Sequence, residues 1–247
     1  MRIDVYPLPD MAYDLPLDGI AIAIDQLRAT TTITTALANG ARRVIPFETV
    51  DQALQAKSAL QATHCASELI LGGEREGKLI PGFDLDNSPC AYTRERVQDK
   101  TLLFTTTNGT RTILACRGVV LLASFVNLDA VVRRVLAEDR ELLSILCAGT
   151  GGNFTEEDLL VAGALVERIS RAKESVDLNV QAEVSSEQWR VASERPLVES
   201  LRASLGGRNL RRIGLDADVV FSSNLNAFDV VAEFRVGEVR LEQSFTA

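Results

Sequence analysis

The stretch Ile20-Ala21-Ile22-Ala23-Ile24-Asp25-Gln26-Leu27-Arg28-Ala29-Thr30-Thr31-Thr32 joins a short apolar run to a threonine-rich bend. The apolar run has the length and the branched side chains of a buried strand, and the residues after the bend predict a helix over 31–39 that ends at Gly40. A strand, a bend and a helix in this order form the repeating unit of α/β proteins. This stretch therefore indicates the fold class.

A second unit of the same kind occupies 101–123. It has a predicted strand at 102–104, the bend Thr105-Thr106-Thr107-Asn108-Gly109-Thr110-Arg111, a helix at 110–116 and a strand at 119–123. The similarity of this unit to the one at 20–47 leaves open an internal duplication.

The alternation of strands and helices continues along most of the chain. Further strands are predicted at 44–47, 69–71 and 142–147, and further helices at 51–62, 128–138, 155–174 and 196–205. The alternating apolar and polar residues at 230–242 predict an antiparallel hairpin with Gly237-Glu238 as its turn. We therefore expect an α/β fold of three layers, with a mainly parallel but mixed sheet and helices on both faces. The chain forms either a single domain over 1–247 or two related lobes.

Composition limits the possible partners and the cellular setting. The 247 residues are 46% apolar and carry a net charge of −8, which argues against nucleic-acid binding because that needs a basic surface. The sequence has no apolar run long enough to span a membrane and no signal peptide, so we expect a cytoplasmic protein with free thiols. The only histidine, His64, falls between a predicted helix and a strand, which argues against a phosphohistidine intermediate.

Both threonine-rich bends have the features of an anion site. The first N–H groups of a helix are unpaired, and the helix dipole favours negative charge there. Threonine hydroxyls add donors, and Arg28 and Arg111 add planar guanidinium groups that suit phosphate or sulfonate oxygens. One such bend alone is equally an ordinary helix cap. Two bends of this kind predict a small anionic ligand.

The ends of the predicted strands carry the other candidate groups. Asp25 follows a buried strand, where a carboxylate is costly unless it is paired or binds a metal, and a helix cap is its alternative role. Glu74-Arg75, between glycines, either faces the site or forms a solvated loop tip. Asp84 and Asp86 are magnesium ligands or turn residues. Cys147 is a nucleophile or a small apolar residue at a strand end.

An ordered set of motifs resembles the 2-phosphosulfolactate phosphatases. The matching stretches are Ile24-Asp25-Gln26-Leu27-Arg28-Ala29-Thr30, Ala36-Leu37-Ala38-Asn39-Gly40-Ala41, Gly73-Glu74-Arg75, Gly82-Phe83-Asp84-Leu85-Asp86-Asn87-Ser88-Pro89, Thr105-Thr106-Thr107-Asn108-Gly109-Thr110, Cys147-Ala148-Gly149 and Glu157-Asp158 with Ala162-Gly163. Two positions depart from the family pattern. Gln26 replaces an apolar residue, and Asp86 replaces a glycine and adds a negative charge.

The resemblance implies a Mg²⁺-dependent phosphatase that hydrolyses 2-phosphosulfolactate or a similar small phosphorylated hydroxy acid, in methanogens for coenzyme M synthesis. It implies catalytic roles for Asp25, Arg28 and Glu74, and metal ligation by Asp25, Glu74 and Asp84. The substrate-binding residues that it implies are Thr30, Thr31, Arg75, Asn87, Ser88, Thr106, Thr107, Asn108, Gly109, Thr110 and Gly149.

Several alternatives stay open at this point. The protein could be a non-catalytic binding protein for a small sulfonate or phosphate. The attacking group could be water, Asp25 or Cys147. A homodimer is compatible with the sequence but not required by it.

Overall fold

One mixed β-sheet organises the molecule. The computed structural model describes residues 1–13, 15–62, 65–138 and 140–242, so His64 lies outside the described residues. The strands are β1 Arg2–Tyr6, β2 Ile20–Ile24, β3 Arg43–Pro46, β4 Leu69–Arg75, β5 Lys78–Leu79, β6 Thr101–Thr105, β7 Val119–Ala123, β8 Leu142–Cys147, β9 Asp177–Leu178, β10 Ala232–Arg235 and β11 Glu238–Leu241. The α-helices are α1 Ala29–Ala38, α2 Val50–Leu60, α3 Arg94–Val97, α4 Gly109–Ala115, α5 Leu128–Glu138, α6 Glu156–Ala172, α7 Val180–Ala192, α8 Leu197–Ala203, α9 Leu205–Arg212 and α10 Asp216–Ser222.

The strand order confirms the predicted α/β class. Along the sheet it is β5-β4-β6-β3-β11-β10-β7-β2-β8-β1-β9. The ladders on either side of the β10–β11 hairpin are parallel except for the short β4–β5 pair, and the hairpin itself pairs antiparallel with β7 and β3. The sheet is therefore mixed and mostly parallel, as expected.

Strand β2 has two different faces. Its isoleucines at 20, 22 and 24 pack into the core formed with α5, α6 and α7. Ala21 and Ala23 point to the opposite face, where the core includes Ile33 and Leu37 of α1. The small alanine side chains leave room for α1 against the sheet, and every residue of α1 from Ala29 to Leu37 is buried.

The sheet must curve strongly for the site to form. In the strand order β2 and β4 are six positions apart, which in a flat sheet would separate them by roughly 29 Å at about 4.8 Å per strand. Asp25 follows β2 and Glu74 lies in β4, yet both line the same cavity and interact electrostatically. Curvature of the sheet around α1 accounts for this convergence.

The C-terminal hairpin was predicted correctly, but its turn was misplaced by one residue. Val236 and Gly237 form the turn, and both have positive φ, 50° and 83°. This backbone suits the type I′ turns that match the twist of paired strands. The hairpin inserts between β3 and β7, so it joins the two halves of the sheet.

The region from about 180 to 222 differs most from the prediction. Instead of one helix over 196–205 there are two, α8 and α9, which meet at Ser204, whose hydroxyl accepts a hydrogen bond from Gly207 N at 3.2 Å. Helices α3, α7 and α10 and strands β1, β5 and β9 were not predicted. No helix in the described part of the chain is both long and apolar enough to cross a membrane.

Candidate active site

A cavity of about 570 Å³ opens where the carboxyl ends of β2, β4, β6 and β8 converge. This is where α/β proteins bind ligands. Its lining residues are Asp25, Leu27, Arg28, Glu74, Arg75, Glu76, Gly77, Asn87, Thr107, Asn108, Gly149, Thr150, Gly151, Gly206, Asn209, Leu210, Arg212 and Ile213.

Asp25 combines a structural bond with a free carboxylate oxygen. Its Oδ1 accepts a hydrogen bond from the N–H of Ala29 at 3.0 Å and so satisfies the first N–H of α1, although Arg28 occupies the N-cap position. Its Oδ2 has no hydrogen-bond partner among the described residues. Burial raises the pKa of Asp25 to about 7, and the charges of Glu74 and Glu157 act in the same direction. Asp25 thus offers one oxygen to the cavity and has an unbalanced charge.

Glu74 is fixed by backbone donors on both of its oxygens. Oε1 accepts from Thr107 N at 2.8 Å and Oε2 accepts from Gly77 N at 2.7 Å. The side chain is 8% exposed, so the sequence-based alternative of a solvated loop tip does not describe it. These two bonds hold the carboxylate in one orientation at the cavity.

Arg28 lines the cavity but is held by a buried ion pair. Its Nη1 donates to Asp218 Oδ2 at 2.5 Å, and its Nη2 donates to Gly77 O at 3.0 Å. The other oxygen of Asp218 accepts from the Ser88 hydroxyl at 2.5 Å. Ser88 does not line the cavity; it positions Asp218, which in turn positions Arg28. Asp218 was not among the predicted site residues.

The other two predicted arginines have protein partners. Arg75 lines the cavity, and its guanidinium donates to Glu74 O at 2.7 Å and to Thr105 Oγ1 at 2.9 Å. Arg111 lies outside the cavity lining, where it pairs with Asp10 at 2.6 Å on the surface. Only the first bend therefore brings its arginine to the cavity.

The threonines of the bends have a different role from the one predicted. The Thr30 hydroxyl donates to Ala123 O at 2.8 Å, and the Thr31 hydroxyl donates to Gln26 O at 2.9 Å. Thr106 and Thr110 bond each other's backbone through their side chains. None of these four residues lines the cavity. Their hydroxyls satisfy buried backbone groups, which explains how a helix as polar as α1 can be fully buried.

The second bend still contributes to the cavity through Thr107 and Asn108. The Asn108 side chain makes no capping bond, although it stands at the start of α4. Gly109 is needed for close packing, since a Cβ there would come within 2.6 Å of Asp25 Oδ2. Asn87 also lines the cavity, and its Oδ1 is buried with no hydrogen-bond partner. A buried acceptor without a partner at a cavity wall indicates a ligand.

The remaining acidic candidates of the 82–89 loop do not face the cavity. Asp84 Oδ2 accepts from Leu71 N at 2.8 Å and pairs with Lys57 at 3.1 Å. Asp86 is a turn residue, which was the alternative to its role as a magnesium ligand, and its Oδ1 accepts a hydrogen bond from Ser88 N at 3.0 Å. The additional charge of Asp86 therefore lies outside the cavity lining.

Three features near the cavity were not predicted as site residues. Asp158 accepts from Gln26 N at 2.8 Å and from Gly149 N at 3.0 Å, and so ties together the loops after β2 and β8. Burial raises the pKa of Asp158 and of its neighbour Glu157. The departure at Gln26 is structural, because its side chain bonds Ser222 O and Phe125 N.

Helix α9 forms one wall of the cavity, which sequence reasoning also missed. Its contributions are Gly206, Asn209, Leu210 and Arg212, followed by Ile213. Gly206 packs against Glu157, with 2.0 Å between Glu157 Oε1 and the position of a Cβ on Gly206. The adjacent glycines Gly206 and Gly207 could have indicated this wall from the sequence, because paired glycines in a helix are typical of a close approach between backbones.

The profile of the family described as 2-phosphosulpholactate phosphatase matches residues 8–237. A probable 2-phosphosulfolactate phosphatase of Symbiobacterium thermophilum is 41% identical over 224 residues, which cover 90% of this chain and 94% of that protein. A protein with the same description from Clostridium perfringens is 35% identical over 247 residues and covers 99% and 98% of the two chains.

Proposed function

Since this chain belongs to the 2-phosphosulfolactate phosphatase family and is a phosphatase acting on a phosphate monoester, we propose that it hydrolyses 2-phosphosulfolactate with the help of Mg²⁺. The products are sulfolactate and inorganic phosphate. The observation that carries the proposal is a set of oxygen donors around one cavity: the free Oδ2 of Asp25, the fixed carboxylate of Glu74 and the unpartnered Oδ1 of Asn87.

The set of oxygen donors fits Mg²⁺ better than a metal ion that takes all of its ligands from protein side chains. No group of three or more His, Cys, Asp or Glu side chains in the described residues could hold a metal. Mg²⁺ is usually bound through one or two carboxylates, with waters and substrate phosphate completing the octahedron. Asp25 and Glu74 would supply the carboxylates and Asn87 an amide oxygen. Ligation by Asp84 stays a prediction, although the structure gives that carboxylate other partners.

The excess of negative charge among the buried side chains around the cavity also supports binding of a cation there. The charges of Asp25 and Glu157 raise the pKa of the buried Asp158, Glu157 also raises that of Asp25, and Arg28 is already paired with Asp218. A bound Mg²⁺ would offset this negative charge and would neutralise developing charge on the phosphoryl oxygens.

The chain's own groups would orient the phosphate and the water. The Asn108 side chain lines the cavity at the start of α4 and can donate to a phosphoryl oxygen. Burial raises the pKa of Asp25 to about 7 in the absence of a cation, and a bound Mg²⁺ would lower this pKa, so Asp25 would hold the metal in its ionised form while the metal activates the attacking water. Cys147 is 0% exposed, and its burial raises the pKa of the thiol well above the ordinary value. We therefore favour direct attack by water over a cysteine intermediate.

The decisive test is phosphate release from a panel of phosphorylated hydroxy acids, with and without exhaustive chelation. We expect release from 2-phosphosulfolactate that chelation abolishes and added Mg²⁺ restores. Full turnover after chelation would contradict the metal role. Faster turnover of 2-phospholactate or 3-phosphoglycerate would assign a different substrate.

A non-catalytic binding function is the second candidate. It would show tight sulfolactate binding without any phosphate release. The free thiols at Cys65, Cys90, Cys116 and Cys147 support a reducing, cytoplasmic setting. Coenzyme M synthesis and a homodimer stay predictions.

A further inference from the structure

Arg212 is the cationic side chain of the cavity that no ion pair and no hydrogen bond to another described element holds in place. Arg28 is ion-paired with Asp218, and Arg75 donates to oxygens of its own loop and of β6. Arg212 is exposed at the end of α9, and its single hydrogen bond to a described residue goes to Asn209 Oδ1, three positions earlier in the helix, at 3.2 Å. No carboxylate in the described part of the chain pairs with it.

Asn209 supports the same conclusion. It lines the cavity, is half-buried, and accepts from Arg212 through Oδ1. This leaves its Nδ2 without an acceptor among the described residues. A guanidinium and an amide N–H from one helix face thus stand side by side at the cavity wall. Such a pair of donors suits a planar or tripodal oxyanion.

The side chains on the wall opposite Arg212 determine how the substrate is oriented in the cavity. The oxygen donors proposed to act on the phosphate belong to Asp25, Glu74 and Asn87, which are 8% exposed or less. Arg212 is exposed and belongs to a different element, so it stands at the rim. In 2-phosphosulfolactate the carboxylate shares a carbon with the phosphate ester, whereas the sulfonate is one methylene further away. The sulfonate is therefore the group that reaches the rim.

Resting on the proposed function, we propose that Arg212, with Asn209, binds the sulfonate of the substrate and so determines specificity for sulfonated over plain phospho-hydroxy acids. Asp25, Glu74 and Glu76 also line the cavity, and their charges would repel an unpaired sulfonate. Arg212 offsets that repulsion at the one position where the substrate differs from phospholactate.

The test compares Arg212→Gln with two other variants. Arg212→Lys keeps the positive charge but loses the planar guanidinium, which can donate two parallel hydrogen bonds. Arg208→Gln removes the same charge from the same helix, at an exposed residue that does not line the cavity and whose guanidinium, among the described residues, bonds Ala203 O alone. Each is assayed with 2-phosphosulfolactate and with 2-phospholactate, which lacks the sulfonate.

We expect Arg212→Gln to raise KM for 2-phosphosulfolactate by about 10- to 100-fold, the usual range for a lost charged hydrogen bond, with kcat changed by less than about threefold. KM for 2-phospholactate should stay within about threefold, and Arg208→Gln should match the wild type for both substrates. The KM of Arg212→Lys for 2-phosphosulfolactate should lie between the values of Arg212→Gln and the wild type, because an ammonium cannot donate two parallel hydrogen bonds. An equal rise for both substrates, or no rise for either, would overturn the assignment.

Calorimetric binding of sulfolactate separates this inference from the proposed function. If the wild type releases no phosphate from any substrate, the proposed function fails. The inference then stands if sulfolactate binds the wild type and binds Arg212→Gln at least about tenfold more weakly, the loss expected for one charged hydrogen bond. It fails if the two proteins bind sulfolactate alike or if the wild type does not bind it.

Discussion

Among single residues, Asp25 shows how one carboxylate can have a structural and a chemical role together. Oδ1 accepts from Ala29 N, while Oδ2 is left to the cavity. The two roles make different demands on the side chain. An amide can accept the same backbone bond, but it lacks the charge that a cation or a proton transfer requires.

Asp25→Asn should therefore separate the two roles. We expect turnover to fall by roughly a hundredfold or more, because a metal ligand or a base is lost. The melting temperature of the chelated protein should not fall, since Asn keeps the bond to Ala29 and removes a buried charge. The measurements are phosphate release and thermal unfolding.

Asp84→Asn is the informative comparison for that experiment. Its carboxylate bonds Leu71 N and Lys57 in the structure. A loss as deep as that of Asp25→Asn would place Asp84 in the metal site after all. Near wild-type turnover in Asp25→Asn itself would leave Asp25 with only its capping role.

The raised pKa of Asp25 also predicts how stability depends on pH. The group ionises near 3.8 in the unfolded chain and at about 7 in the folded protein, so the folded state holds more protons between these values. The free energy of unfolding of the metal-free protein should therefore fall as the pH rises from about 4 to about 7. Asp158 and Glu157, whose pKa values are also raised by burial, act in the same direction.

Urea unfolding in the presence of chelator, at pH values from 4.5 to 8, measures this dependence. Asp25→Asn should show a shallower fall over the same range. Equal slopes for the two proteins would show that Asp25 does not titrate as described. Mg²⁺, if it binds the ionised form, should stabilise the wild type more at pH 8 than at pH 5.

Among the helices and strands, two glycines set how closely elements approach. A Cβ on Gly109 would lie 2.4 Å from Ala29 Cβ and 2.6 Å from Asp25 Oδ2. We expect Gly109→Ala to displace the start of α4 or the Asp25 carboxylate and to lower kcat by roughly ten- to a hundredfold, as small displacements of reacting groups do.

Gly163→Ala is the matched substitution at a packing contact away from the cavity. A Cβ there would lie 1.9 Å from Ser185 O, where α6 packs on α7. Overpacking of this kind should lower the free energy of unfolding by about 1–3 kcal/mol. The turnover per folded molecule should stay near that of the wild type. Urea unfolding and active-site titration would show the difference, and a Gly163→Ala protein with normal stability but little activity would contradict it.

In the whole molecule, the C-terminal hairpin joins two parallel halves of one sheet. Val239 of β11 is fully buried and faces Val44 of β3, whereas Val236 is exposed at the turn. The hairpin thus brings the Glu74 half and the Asp25 half of the cavity into one structure.

Val239→Asp should unfold the protein or destabilise it by several kcal/mol, because a buried unpaired carboxylate is costly. Val236→Asp places the same charge three residues away in solvent and should behave like the wild type. Soluble yield and urea unfolding report the result. Comparable stability of the two variants would show that the hairpin is not needed to close the sheet.

Local pattern was enough to predict much of the fold and half of the site. The apolar runs fixed β2, β7 and β8 because a buried strand needs little besides a short run of branched side chains. They also placed Asp25, Glu74, Thr107 and Gly149 at strand ends, which the cavity confirms as a common edge. Helix α7 escaped prediction because its exposed valines, Val180, Val184 and Val191, blur the apolar stripe.

The sequence by itself determined the α/β class, the family and the acidic residues at the strand ends, since these depend on neighbours in the chain. Only the tertiary structure decided which polar groups are free for a ligand. The Thr30 hydroxyl donates to Ala123 O and Arg111 pairs with Asp10, both of which are distant in the chain, whereas the Thr31 hydroxyl donates to Gln26 O five positions earlier. The tertiary structure also places α9 at the cavity, so Arg212 lines it together with Asp25 and Glu74, which lie more than 100 residues earlier in the chain. Availability of a donor depends on every group within about 3 Å, and most of those groups are distant in sequence.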